Sequence, residues 1–194
     1  MINKLAFKLT CYIKNNSKFK NLEEVEQIQY AIVTILNEVF KITTLIILFS
    51  LIGNLKYLLF SMMILLSTRL FSGGLHAKTL LGCLMWTILF FILTSIIAPL
   101  IPKLEPYIYY ILGLFNLLII ITRAPFPNPN RPIKKKKRKQ YLKILAISFS
   151  MFWTYILLFY IKNPTYLNCG ITTIILQSLQ LIHIKRRRFE YEKT

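Results

Sequence analysis

Six apolar stretches nearly bare of charge dominate this chain, at roughly residues 39–53, 55–71, 80–98, 106–122, 142–161 and 166–184. A helix needs about 20 apolar residues to cross a bilayer core, somewhat fewer or more with mismatch and tilt. With 55% of its 194 residues hydrophobic, the chain carries far more apolar surface than one soluble core of that length can hide. Lipid offers no partner to unpaired peptide groups, so open sheets are excluded. The expected fold is therefore all-α, a polytopic membrane protein of about six transmembrane helices.

The charges sort by side. The connections expected outside, 53–56, 99–105 and 162–164, hold one lysine each, and the remaining 22 of 25 Lys and Arg lie in the N-terminal segment, around Arg69 and Lys78, in a central loop and in the tail. By the positive-inside rule both termini are predicted to be cytoplasmic. The net charge of +18 thus reads as a topology signal with attraction to anionic lipid, and no nucleic-acid partner is expected. Lys4, Lys8 and Lys14 interrupt any early apolar run, so no cleaved signal peptide is predicted.

Residues 1–194 are expected to form a single membrane-embedded domain. Residues 1–38 are read as amphipathic helices on the cytoplasmic face: Ile2, Leu5, Ala6, Leu9 and Tyr12/Ile13 recur at helical spacing, and Asn21 with Glu24 resembles a capping box. Residues 39–184 form the six-span bundle. Within it, 123–141 is a basic loop with four prolines in eight residues, predicted to be an extended strap. Arg131 and the run Lys134, Lys135, Lys136, Lys137, Arg138 and Lys139 are either a topology anchor or a docking surface for an acidic peptide tail. Residues 185–194 are a basic tail, and His183 before it is read as interfacial.

The inventory leaves little room for chemistry. There is no aspartate, which excludes aspartic dyads and Ser/His/Asp triads. Two histidines, His76 and His183, and three scattered cysteines, Cys11, Cys83 and Cys169, provide no zinc-ligand spacing, so neither a metal nor another cofactor is expected. The segment RLFSGGLHAKTLLGC, from Arg69 to Cys83, does hold the residue types of a thiol nucleophile and its base. On an unbroken helix His76 and Cys83 would stand about 10 Å apart along the axis, too far for a hydrogen bond of roughly 3 Å. A working pair needs a broken or re-entrant segment, for which Gly73, Gly74 and Gly82 are the permissive residues. A thiol with a pKa near 8.5 is only about a few per cent ionised at neutral pH, so an imidazolium neighbour would ready it, and Arg69 adds positive potential. Against this stands the plain alternative of a packing cysteine and a solvated histidine. Glu38 could orient His76, or simply pair with Lys41 one turn away.

Arg69, the Gly73–Gly74 pair, His76 and Cys83, followed by Arg123-Ala124-Pro125 and Asn130-Arg131-Pro132-Ile133 before a lysine run, resemble the accessory gene regulator B family over essentially the whole chain. These are membrane-embedded cysteine endopeptidases that process quorum-sensing propeptides in Gram-positive bacteria. The resemblance implies a bacterial cell-membrane location with a cytoplasmic active site, His76 and Cys83 as catalytic pair, and Arg69 and Gly74 shaping the site, with Gly73 beside them. It further implies a short propeptide substrate with an amphipathic leader and an acidic tail. Cys83 would cleave off the tail, and the retained thioester would pass to a side chain of the peptide, closing a thiolactone or lactone ring in a site that keeps water out. A homodimer fits the resemblance and the breadth of apolar surface. The rival reading is non-enzymatic, a transport or scaffold subunit binding an acidic amphipathic peptide, with Glu38, Lys41 and Arg69 lining a polar path. A catalytically silent relative is the third.

Overall fold

The computed structural model describes residues 2–16, 22–74, 80–126 and 136–191. All its regular elements there are helical, with no strand among the described residues. Two compact units divide the chain, Met1–Gly53 and Asn54–Thr194.

The first unit is a pair of helices, α1 (Ile2–Asn16) and α2 (Leu22–Ile52), packed on each other. The small side chains of Ala6 and Thr10, one turn apart, are buried, while Phe7, Leu9 and Tyr12 stay exposed. Small residues let backbones approach closely, and the large apolar groups remain outward, as an interfacial helix requires. The predicted stripe is therefore split between two faces. Helix α2 runs unbroken for 31 residues, about 46 Å at 1.5 Å per residue. Its apolar part, Ile28–Ile52, begins well before the expected residue 39. The Lys41 ammonium donates to the Glu38 carboxylate, so the two charges in this stretch neutralise each other and Lys41 is buried.

The second unit comprises α3 (Leu55–Ser72), α4 (Leu80–Ile92), a π-helical turn (Leu93–Ile97), α5 (Ala98–Leu100), α6 (Pro106–Arg123), α7 (Lys136–Phe159) and α8 (Pro164–Tyr191). Over the whole chain, five described helical stretches are long and apolar enough to cross a membrane: Ile28–Ile52, Leu55–Ser72, Leu81–Leu100, Pro106–Arg123 and Lys136–Phe159. The protein is an all-α polytopic membrane protein. The sixth predicted span is the helix α8, which differs in kind because it packs against α3, α5, α6 and α7 and carries buried Asn168, Thr173, Gln177 and Ser178. Thr173 and Ser178 bond back to carbonyls of α8 itself, while Asn168 and Gln177 reach other elements, as buried polar groups must where lipid supplies no partner. Asn168 donates to the Ile101 carbonyl at 2.7 Å and accepts from the Tyr109 hydroxyl at 2.6 Å, which in turn accepts from the Leu104 amide. Around them Ile64, Tyr109, Trp153, Leu157, Leu167, Ile171 and Ile174 form the larger core.

Two boundaries differ from expectation. Pro99 was expected in an outside turn, but it lies in α5, directly after the π-helical turn. Proline has no amide to continue the α-helical ladder. The Ala98 amide instead reaches back five residues to the Leu93 carbonyl, and the helix carries on through one wide turn. The other difference is α7, which is already helical at Lys136, inside the cation run read as an extended strap. Lys and Arg are good helix formers once the prolines have passed.

Candidate active site

Helix α3 ends where the sequence places two glycines. Gly73 has φ 79° and ψ −173°, a region essentially closed to residues with a side chain. Its amide still donates to the Arg69 carbonyl at 3.0 Å, so the helix is capped before the chain turns away. The break that a working His76–Cys83 pair needs is present at the end of α3, and helix is described again from Leu80. His76 itself lies outside the described residues, as do Arg131, Lys134 and Lys135.

Each glycine has a separate steric reason. A Cβ on Gly73 would stand 2.5 Å from the Phe126 carbonyl oxygen, and one on Gly74 would stand 2.7 Å from Arg69 Nε and 3.0 Å from its Cζ. The Arg69 guanidinium therefore lies on the bare Gly74 backbone. Gly74→Ala is expected to leave the fold intact, because the colliding atoms end a flexible side chain, but to expel the guanidinium from that seat. Processing of a substrate should fall about tenfold with little change in thermal unfolding. Wild-type turnover in that variant would show that the seat has no functional weight.

The chain from Ala124 to Phe126 closes this end of α3. The Phe126 amide donates to the Ser72 carbonyl at 2.9 Å, the Ala124–Pro125 bond is cis, and Phe126 packs with Phe71 into a core of Ile119, Ile120, Ala124, Ala146 and Leu181. The two sequence strings, Arg69 to Cys83 and Arg123-Ala124-Pro125, are thus neighbours in space. From a third direction, Gln177 of α8 donates through Nε2 to the Ser72 hydroxyl at 3.1 Å and to the Gly73 carbonyl at 3.0 Å. Neither Ser72 nor Gln177 was singled out from sequence. The available signal was two glutamines, Gln177 and Gln180, in an otherwise apolar span, since polar groups inside spans are costly and tend to have a task.

Cys83 lies in α4, half-buried and outside any disulfide. Its carbonyl accepts from the Thr87 hydroxyl at 2.7 Å. Cys83, Thr87 and the buried Phe90, Phe91 and Thr94 share one helical stripe, whereas Leu81, Met85, Trp86 and Leu89 are exposed. Cys169, by contrast, is fully buried in α8 against the Ser61 hydroxyl at 2.9 Å, and Cys11 lies in α1. Glu38 makes its ion pair with Lys41 on its own helix. Lys136, Lys137, Arg138 and Lys139 are all exposed in the first turns of α7. Among the described residues no three His, Cys, Asp or Glu side chains gather into a metal site.

The sequence pattern that defines accessory gene regulator B matches residues 6–181. An AgrB-like protein of Clostridium beijerinckii is 35% identical over 187 residues, covering 96% of this chain and 92% of that protein. A second, AgrB-like protein 1 of Clostridium perfringens (strain 13 / Type A), is 29% identical over 166 residues, covering 85% and 88%. No solved structure matches the chain. With the family pattern matched over most of its length and a relative 35% identical across nearly all of it, the chain belongs to the accessory gene regulator B family.

Proposed function

We propose that this protein is a membrane-embedded cysteine endopeptidase that removes the acidic tail of an autoinducing propeptide and promotes its cyclisation. One observation supports the reading above the others: α3 breaks at the Gly73–Gly74 pair with Arg69 seated on Gly74, and Cys83 lies on the next described helix, α4. The segment carrying His76 is the link in sequence between these two points.

In the proposed reaction the Cys83 thiolate adds to the carbonyl carbon of the scissile peptide bond. The C–N bond then breaks, the tail amine takes a proton from the His76 imidazolium, and a thioester to Cys83 remains. A thiol or hydroxyl of the peptide next gives its proton to His76 and attacks the thioester carbonyl, closing the ring and returning the Cys83 thiolate. The Arg69 guanidinium offers positive charge where an oxyanion develops. Both termini and the site lie on the cytoplasmic side in this reading, with the protein acting as a homodimer.

The tail would dock on the cations of α7. Four adjacent exposed positive charges repel each other, and an anionic partner relieves that repulsion. Replacing Lys136, Lys137, Arg138 and Lys139 by glutamine should lower kcat/KM about tenfold at low ionic strength. The deficit should narrow as the Debye length falls from about 10 Å at 0.1 M salt to about 3 Å at 1 M. A deficit that ignores salt would remove the docking role.

The direct test is incubation of the purified protein in liposomes with a propeptide, followed by mass spectrometry. An acyl adduct on Cys83, with released tail, is the expected result. Binding without adduct or tail release would favour the scaffold reading.

A further inference from the structure

Gly73 lies three residues before His76, and its carbonyl is held from two sides: Gln177 Nε2 donates to it at 3.0 Å and the Ser72 hydroxyl at 3.2 Å. The second hydrogen of the same Gln177 amide goes to the Ser72 hydroxyl at 3.1 Å, which closes a three-membered ring of hydrogen bonds. Because a carbonyl can only accept, the amide nitrogen must be the atom that faces it, so the orientation of Gln177 is settled by chemistry. Ser72 and Gln177 are 1% and 2% exposed. Gln177 Oε1 is buried too and finds no partner among the described residues. Leaving a buried amide oxygen unsatisfied costs stability that an apolar side chain at this position would not incur. Helix α8 thus tolerates a penalty in order to place two donors on one hydroxyl and one carbonyl.

We propose that Gln177, working with Ser72, is the positioning residue for the histidine segment. A residue at φ 79° and ψ −173° has no steric walls of its own to fix its peptide plane, since glycine moves freely through that region. The direction of the Gly73 carbonyl decides where the following residues go. With both its lone pairs engaged by groups rooted in α3 and α8, the Gly73 peptide is held still, and the heading of the chain at Gly74 is fixed with it. The proposal rests on the peptidase reading, in which His76 must meet Cys83.

The test uses the full-length protein in liposomes with the variant Gln177→Met, which keeps volume and removes the donors. Tail release should show kcat lowered by at least about tenfold with KM unchanged, because Gln177 is buried and acts through geometry. Alkylation of Cys83 by iodoacetamide at neutral pH gives a second readout. It should slow in Gln177→Met when His76 is present and be no slower in the His76→Ala, Gln177→Met double variant than in His76→Ala alone. Equal slowing in both backgrounds, or wild-type kcat, overturns the positioning role. If Gln177→Met does not insert, Ser72→Ala decides by the same two readouts, with the same outcomes counting for and against. Cys83→Ala run alongside separates the two claims: if it retains turnover, the peptidase reading falls, whereas its loss together with a wild-type Gln177→Met rate removes only the role of Gln177.

Discussion

Cys83→Ala is expected to reach the membrane in normal amount and to release no tail. Removal of a covalent nucleophile lowers turnover by on the order of 10⁴-fold or more, because the remaining groups can bind and polarise the substrate but cannot form the acyl intermediate. His76→Ala should fall nearly as far, and the double variant no further, since the two residues act as a unit. Tail release followed by mass spectrometry, with membrane-fraction immunoblots for insertion, makes the measurement. Cys169→Ala is the natural control: its sulfur is sealed in the bundle against Ser61, out of reach of any substrate, and its turnover should be wild type. Appreciable tail release by Cys83→Ala would end the peptidase reading.

The next largest effect is expected at Gly73. An alanine there must hold φ near 79°, which costs about 1–3 kcal/mol, and its methyl would meet the Phe126 carbonyl oxygen at 2.5 Å. Backbone lies on both sides of that contact, so neither partner can rotate away as the Arg69 side chain can at Gly74. Either the strap from Ala124 to Phe126 moves off, breaking the bond from the Phe126 amide to Ser72, or the end of α3 shifts. Displacement by about 1 Å costs on the order of 10²-fold in rate. Gly73→Ala should therefore lose both stability, read as a lowered unfolding midpoint in detergent, and tail release. Gly74→Ala should lose only the second. Equal and mild behaviour of the two variants would contradict the separate steric roles.

How much of this was legible beforehand follows from what each feature depends on. The spans were legible because bilayer crossing is a property of local composition, and the stretch from Leu55 to Ser72 fell within a residue of its expected end. The break before His76 was legible from the glycine pair and from distance alone. What joins there was not, because Phe126 and Gln177 come from far along the chain and carry no local mark of meeting Gly73. Helix α8 was read as an ordinary span, since counting apolar residues cannot tell a lipid-facing helix from one wrapped by its neighbours with polar groups paired inward. The helical state of Lys136 to Lys139 was not legible because a charge run beside prolines resembles a solvated strap, although lysine resists helix far less than proline does.

The wide turn at Leu93–Ile97 has a consequence for the bearing of the thiol. Each residue of an α-helix advances about 100° around the axis, and a π turn absorbs one surplus residue without ending the rod. Everything upstream, Cys83 included, is therefore clocked about 100° from where a plain helix anchored at Ala98 would aim it. A chain one residue shorter between Leu93 and Ile97 would restore the regular ladder and swing the sulfur toward the side now occupied by outward-facing apolar groups. The compass heading of the Cys83 thiol is set about three turns away from it, by a single extra peptide unit ahead of a proline.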